Sequence, residues 1–261
     1  MLGNRPTKRA GRTAWLIGGS LFSIATLGWG TLNAVELLAH ERTHSHLDVP
    51  ASVRTVDLRG GDGSVRIDGT DGPAGVDVSV SNGLQAASHS EQVEGDRLVI
   101  RSSCPAFLNT WCSVNYVIRV PRSVVVTAHS SNGSITVAGI DGDLDVSTAD
   151  GGVRVDGGVG QLRLHTSNGS VRGTGLRSGT VDASTGDGSI HLTFVTAPSA
   201  VTARSSNGNV TIDLPNTTDA YRLDTGTSNG SVTAPIRTDP TSDHTISAHT
   251  SNGSITIQYA A

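Results

Sequence analysis

The sequence is short of the residues that build helices. Lys8 is its only lysine, glutamate is scarce and aromatic residues make up 3 %, whereas 32 of the 261 residues are glycine. Valine, threonine and serine fill most windows, and β-branched residues favour strands over helices. The composition therefore predicts an all-β protein.

Positive charge is also in short supply outside the N-terminus. When the four basic residues among the first twelve are set aside, 15 Lys and Arg remain against 23 Asp and Glu, a formal charge of −8, and the sequence shows no basic stripe. Nucleic-acid binding depends on many Lys or Arg contacts to phosphates. We therefore predict no nucleic-acid partner.

Cysteine is limited to Cys104 and Cys112, which lie eight positions apart. A redox pair is usually Cys-x-x-Cys, and a zinc site needs more Cys or His nearby. The N-terminal segment described below predicts export, and in an exported protein such a pair is typical of a structural disulfide. We predict that disulfide, with no metal and no cofactor.

One long uncharged stretch is present, at residues 14–35. Its 22 residues would form a helix of about 33 Å, enough to cross a bilayer. We predict a cytoplasmic basic tail at 1–12, a transmembrane anchor in the lipid bilayer at 13–35 and a polar stalk at 36–50. Because the basic residues precede the anchor, the protein is predicted to cross the cell membrane once, with its C-terminal domain outside the cell.

A cleaved signal peptide is the alternative for this segment. Its apolar core is usually shorter, with 7 to 15 residues, and ends in a small-x-small site. Ala34 and Ala39 have leucine two positions before them, so both are poor cleavage sites. In either case the remainder of the chain leaves the cytoplasm.

A short phrase centred on Ser-Asn-Gly-Ser recurs along the chain. Its turn glycines are spaced by 18, 18, 19, 20, 22 and 23 residues. Such a period is typical of repeat architectures. The predicted turn residues are Asn132, Gly133, Gly151, Asn168, Gly169, Gly188, Asn207, Gly208, Asn229, Gly230, Asn252 and Gly253.

Apolar residues alternate on both sides of each turn, which indicates strands with one buried face. A second turn closes each unit, so a unit holds two short strands and two turns. Equivalent residues recur at equivalent places, which favours a single-stranded parallel β-solenoid in which like residues stack between coils. An antiparallel β-sandwich or meander remains the alternative, because Asn-Gly is also a strong hairpin signal.

The repetitive β-domain is predicted to span 51–261. Residues 123–261 form its regular repeats. Residues 51–122 are less uniform and contain both cysteines, so we expect irregular first coils that hold the disulfide and cap the stack.

The strand end Val120-Pro121, followed by repeated Thr/Ser-x-Asn/Asp-Gly-x-Val/Ile units, resembles the bacterial "putative adhesin" family. The resemblance covers about residues 53–259. It implies a β-helical domain, often behind a membrane anchor, in proteins linked to the cell surface or to envelope stress. It supplies no catalytic residues.

One set of side chains stands three residues before the turn Asn in several units: His129, His165, Arg204 and His249. Stacked units would place them in one column on the outer face, where they could bind an anion or a metal. The alternative is that polar outward positions simply vary, because Ser147 holds the same place in another unit.

Parallel β-helices often serve as polysaccharide lyases and hydrolases, and that chemistry needs closely placed acids. The outward acids Asp145, Asp182, Asp213 and Asp224 form no consistent pair. We therefore predict no catalysis and an adhesin-like or envelope-scaffolding role, with a carbohydrate-active enzyme as the alternative. The partner would be a surface glycan or an envelope protein. The C-terminal residues 254–259 keep a strand pattern, which leaves end-to-end self-association open.

Overall fold

The computed structural model describes residues 41–82, 85–105 and 112–260. These residues are all-β, as predicted, and among them no helix is long and apolar enough to cross a bilayer. The predicted tail at 1–12 and anchor at 13–35 lie outside the described residues.

Twenty-one strands are present in the described part of the chain. They are β1 (Glu41–Val49), β2 (Thr55–Asp62), β3 (Val65–Thr70), β4 (Ala74–Asn82), β5 (Ser88–Glu94), β6 (Arg97–Ser103), β7 (Ser113–Pro121), β8 (Val125–Asn132), β9 (Ile135–Ala138), β10 (Leu144–Asp150), β11 (Val153–Asp156), β12 (Leu162–Asn168), β13 (Val171–Leu176), β14 (Thr180–Asp187), β15 (Ile190–Phe194), β16 (Ala200–Asn207), β17 (Val210–Leu214), β18 (Arg222–Asn229), β19 (Val232–Thr233), β20 (Thr245–Asn252) and β21 (Ile255–Tyr259).

The strands form two mostly parallel sheets. Sheet A has the order β1-β4-β7-β3-β9-β11-β13-β15-β17-β21-β19, and sheet B has the order β18-β20-β16-β14-β12-β10-β8-β2-β6-β5. Each repeat gives one strand to sheet B and the next to sheet A, so that β12 and β13 form one coil. Neighbouring coils pair in parallel, as expected for a β-solenoid and unlike a meander.

Alternating residues of both sheets fill the space between them. In the coil of β10 and β11, Leu144 and Val146 point inward from sheet B and meet Val153 and Val155 from sheet A, all at most 1 % exposed. Because the side-chain period of a strand is two, the residues between them face solvent. Each regular coil thus presents a polar outer row on both faces.

The turn glycines lie against the backbone of the neighbouring coil. A Cβ added to Gly169 would stand 2.0 Å from the carbonyl oxygen of Gly151, and one added to Gly188 would stand 2.0 Å from that of Gly169. No side-chain movement relieves a contact with backbone. The glycines are therefore required by the stacking of coils, in addition to the turn geometry that the sequence indicated.

A buried row of hydroxyl groups supports these turns. Thr166 is fully buried and its Oγ1 donates a hydrogen bond of 2.8 Å to the Gly151 carbonyl of the preceding coil. Thr148 and Thr185 make the same bond to Gly133 and Gly169. A buried carbonyl without a partner is costly, so these threonines explain the Thr or Ser that precedes each Ser-Asn-Gly turn by one position.

The turn asparagines form a second row, on the surface. Asn168 donates its side-chain amide to Asp150 at 2.7 Å, and Asn207 donates to Asp187 at 2.6 Å. Strands pair Asp150 with Asn168 and Asn168 with Asp187, so acid and amide alternate from Asp62 to Asn207. Beyond Asn207 the row holds only asparagines. The two aspartate variants of the repeat thus never lie side by side.

The N-terminal coils are irregular, as the sequence suggested. Strands β4 and β5 run antiparallel to β7 and β6. Cys104 and Cys112 form a disulfide in the connection between β6 and β7. Residues of the predicted stalk at 36–50 differ from expectation, because residues 41–49 form β1 and extend sheet A antiparallel to β4.

A hydrogen bond fixes β1 on its neighbour. His46 Nδ1 lies 2.6 Å from Asp77 Oδ1 on β4. This bond raises the pKa of His46 and lowers the pKa of Asp77. The strand is thus held by side chains as well as by its backbone ladder.

The C-terminal coils are not stacked in chain order. The coil of β20 and β21 lies between the coil of β16 and β17 and that of β18 and β19. The C-terminal strand is therefore not the open edge from which end-to-end association was argued. The eight-residue β18 of sheet B and the two-residue β19 of sheet A occupy that end. The short β19 gives little surface for strand addition, so only β18 offers a long edge there.

Candidate functional site

A column of polar side chains crosses the outer face of sheet B. Strand pairing aligns His129 with Ser147, Ser147 with His165, His165 with Ser184, Ser184 with Arg204 and Arg204 with His249. We call these six residues the sheet B column. The structure thus brings all four residues predicted from the repeat into one row.

The column continues beyond its two ends. Arg59 on β2 pairs with His129, and Arg101 on β6 pairs with Arg59. At the other end Gly226 on β18 pairs with His249. The extended row therefore carries cationic or imidazole groups, interrupted by Ser147 and Ser184, and ends at a residue without a side chain.

Hydrogen bonds join neighbours within the column. His129 Nδ1 lies 2.5 Å from Ser147 Oγ, and His165 Nδ1 lies 2.9 Å from Ser184 Oγ. His249 Nε2 lies 3.2 Å from Asp224 Oδ2 on the terminal strand β18. These contacts order the rings with respect to the sheet.

Arg204 differs from the ion-paired arginines of sheet A. In the part of the chain that the structure describes, it is exposed and makes no ion pair. On sheet A, by contrast, Arg66 pairs with Asp68 at 2.7 Å and Arg154 with Asp156 at 3.4 Å. The guanidinium of Arg204 keeps its hydrogen-bond donors for a ligand.

The column borders an open groove of about 670 Å³. The groove runs across five strands of sheet B, from β12 to β18, and is lined at the column by His165, Ser184, Arg204 and His249. Hydroxyl groups of the turn side, such as that of Ser251, complete it. None of the residues lining this groove is acidic, and none is Phe, Tyr or Trp.

The out-of-order stacking builds this groove. His249 lies 45 residues after Arg204 in the chain, yet β20 pairs directly with β16. Strand β18 then stands at the edge, where Gly226 leaves the groove open. In chain order, Gly226 would have stood beside Arg204 instead.

The outward acids remain dispersed. On sheet B, Arg163 lies between Asp145 and Asp182. Asp213 lies on sheet A, where its Oδ2 is 2.7 Å from His191 Nε2. Among the described residues, no three His, Cys, Asp or Glu side chains are grouped as metal ligands would be.

Sequence reasoning missed Ser184 and Gly226 as members of the row. Both stand three residues before a turn position, Asp187 and Asn229, as the four recognised members do. Counting back from every turn, including the aspartate variant, would have found them. The neighbours of each residue depend on coil order, which this count does not supply.

Comparison with known proteins agrees with the repeat. The family model described as Toastrack DUF4097 matches residues 121–258, more than half of the chain. Among proteins with curated descriptions, none matches.

Three solved structures illustrate the similarity. A "putative adhesin" from Bacteroides fragilis is 14 % identical, with 84 % of this chain and 97 % of that chain covered and a TM-score of 0.48. A "putative cell adhesion protein" from Clostridium sporogenes is 13 % identical, with 84 % and 100 % covered and a TM-score of 0.39. A "putative lipid binding protein" from Parabacteroides distasonis is 10 % identical, with 84 % and 97 % covered and a TM-score of 0.41.

Proposed function

This chain belongs to the Toastrack DUF4097 family, and we propose that it is a non-catalytic, adhesin-like binding protein that presents the outer face of sheet B at the cell surface. The proposal combines the predicted anchor at 13–35 with the solenoid that follows it. The ligand is an envelope or surface polymer, bound in the groove beside the sheet B column.

The composition of the groove carries this proposal. Its side chains are histidines, one arginine, serines and threonines, which hold a ligand by hydrogen bonds and charge. Glycosidases instead place two carboxyl groups on either side of the scissile bond. The groove lining has no carboxylate, so it is suited to binding and not to that chemistry.

The Ser–His contacts of the column do not amount to a nucleophilic site. Such a site needs a serine, a base and a third group that orients the base. His165 and Ser184 provide the first two, at 2.9 Å. Within the described residues, no side chain lies within hydrogen-bond distance of the second nitrogen of His165. The pair is better suited to ordering an imidazole as a ligand contact.

A matched pair of variants tests the proposal. Ser251→Tyr places a ring in the groove, whereas Thr256→Tyr places the same ring on the outer face of sheet A, in the same coil. Full-length protein in mild detergent is incubated with isolated cell-wall and envelope fractions, and the bound share is measured.

The groove variant is expected to lose most binding and the sheet A variant to keep it. Equal binding by both variants would show that this face is not used. Release of reducing ends from the wall fraction by the unmodified chain would favour the carbohydrate-active alternative.

A further inference from the structure

We infer that the ligand of the groove is a linear anionic polymer, whose successive charged groups lie along the sheet B column and contact Arg204. This inference rests on the proposed function and specifies the chemistry of its ligand. Phosphodiester polymers and acidic polysaccharides share that chemistry.

The groove differs in charge from the rest of the protein. The sequence after the basic tail carries a formal charge of −8, yet the groove lining has Arg204, His165 and His249 and no acid. Asp224 lies at its border, where it contacts His249. An anionic ligand would be repelled by most of this protein and attracted here, so charge both places the ligand and orients it.

The groove lining has no Phe, Tyr or Trp side chain. Aromatic rings give apolar contact area at binding surfaces. In the described part of the chain, Tyr116, Phe194 and Tyr221 are buried and Tyr259 lies on sheet A. A neutral sugar would therefore find no Phe, Tyr or Trp ring to stack on in the groove. Charge-assisted hydrogen bonds, which are about twice as strong as neutral ones, remain available to an anion.

The sheet B column, with its extension at Arg59 and Arg101, is long enough to contact an extended chain. Strands lie about 4.8 Å apart, and the row from Arg101 to His249 crosses seven such intervals, about 34 Å. Along it, cationic or imidazole groups stand on six of eight strands, with Ser147 and Ser184 between them. Arg59 is also paired with Asp57. A single small anion would contact one or two of these groups, whereas an extended polymer would contact several of them in succession.

The experiment uses the full chain in phosphatidylcholine nanodiscs, with soluble probes. Linear polyphosphate and polygalacturonate represent the two sources of anionic polymer, dextran is the neutral control and inorganic phosphate is the monomer control. The matched variants are Arg204→Ala, in the groove, and Arg172→Ala, an exposed arginine on sheet A. Ser184→Glu places an acid in the groove while leaving Arg204 intact.

We expect at least one polyanion to bind the unmodified chain, and added salt to weaken binding. Arg204→Ala should weaken it about tenfold, which corresponds to about 1.4 kcal/mol, and Arg172→Ala less than twofold. Ser184→Glu should abolish it. The polymer with the lower Kd identifies the source, and either preference supports the inference.

Three outcomes would overturn the inference. Equal effects of Arg204→Ala and Arg172→Ala would mean diffuse charge attraction. Binding of dextran equal to that of the polyanions would indicate a neutral sugar and leave the proposed function standing. Binding of inorganic phosphate as tight as that of polyphosphate would indicate a single-anion site. Loss of the proposed function itself is recognised separately, by equal wall binding of Ser251→Tyr and Thr256→Tyr.

Discussion

Replacing Gly169 with alanine is expected to separate two coils of the stack. The new Cβ would lie 2.0 Å from the carbonyl oxygen and 2.6 Å from the carbonyl carbon of Gly151. Real Cβ contacts are essentially never shorter than 3.0 Å, so the two turns must move apart by about 1 Å, an atomic overlap that close-packed interiors do not absorb. Both atoms belong to the backbone, and no rotamer change relieves the contact.

The cost follows from the bonds across that junction. The Gly151 amide donates to Asn168 at 3.1 Å, the Val153 amide donates to Ser170 at 3.0 Å, and Thr166 Oγ1 donates to Gly151 at 2.8 Å. With about 1 kcal/mol for each hydrogen bond, the loss is about 3 kcal/mol. Urea unfolding followed by far-ultraviolet circular dichroism measures it as a lower free energy of unfolding.

Gly175→Ala provides the control. Its φ is +62° and no atom lies within 4 Å of the added Cβ, so the cost there is only that of the left-handed conformation, about 1 kcal/mol. If Gly169→Ala costs no more than Gly175→Ala, close stacking is not what requires glycine in the turn, and the reasoning is refuted.

Three further changes test the rows and the N-terminal strand. Thr166→Val leaves the Gly151 carbonyl without its hydroxyl donor and should lower the free energy of unfolding by about 1–3 kcal/mol, measured by the same urea titration; no loss would contradict the buried row. Asn168→Asp makes three neighbouring acids and should lower the melting temperature at low salt and restore most of it at high salt; an effect independent of salt would point elsewhere. The His46–Asp77 bond raises the pKa of His46 above 6.5 and lowers that of Asp77 below 3.8. Its stabilisation is therefore complete between pH 3.8 and pH 6.5; it is lost as pH rises through the raised pKa of His46 or falls through the lowered pKa of Asp77. Intrinsic-rate-corrected hydrogen exchange of β1 should therefore be slower at pH 5.5 than at pH 8.5, and His46→Asn should remove the difference.

The repeat was largely readable from sequence, because its signals are local. Alternation around Gly151 and Gly169 located two strands for each unit, and the two sheets follow from them. The resemblance to the "putative adhesin" family is confirmed by the Toastrack DUF4097 match. The hydrogen bond of the buried Thr166 hydroxyl could not be predicted, because its partner, Gly151, belongs to the neighbouring coil and is known only once the coils are stacked.

The order of the last coils was not predictable from the turn pattern. The spacings of 22 and 23 residues around Gly230 are longer than the earlier ones, and they fall where the chain leaves sequential stacking. The turn pattern gives the lengths of these segments but not the positions of their coils in the stack. Since His249 joins Arg204 only through that insertion, sequence identified the members of the column without the groove they form.

The first strand was hidden for a different reason. Residues 41–49 have a polar pattern with His44 and His46, which is typical of a stalk. Their partners lie on β4, where Ser79 Oγ is 2.8 Å from His44 Nδ1 and Asp77 binds His46. An edge strand held by polar pairs lacks the hydrophobic alternation on which strand prediction depends.

The insertion of β20 between β16 and β18 is the claim on which the groove and its proposed function depend. Paired cysteines test it directly in the full chain. Thr202 on β16 faces Ser247 on β20, and Ser247 faces Asp224 on β18. Neighbouring strands lie about 4.8 Å apart and next-neighbours about 9.6 Å, whereas a disulfide needs Cα atoms within about 7 Å. Mass spectrometry after mild oxidation should find a new disulfide in Thr202→Cys/Ser247→Cys and none in Thr202→Cys/Asp224→Cys. The reverse result would mean that the coils stack in chain order and that Arg204 and His249 do not share a groove.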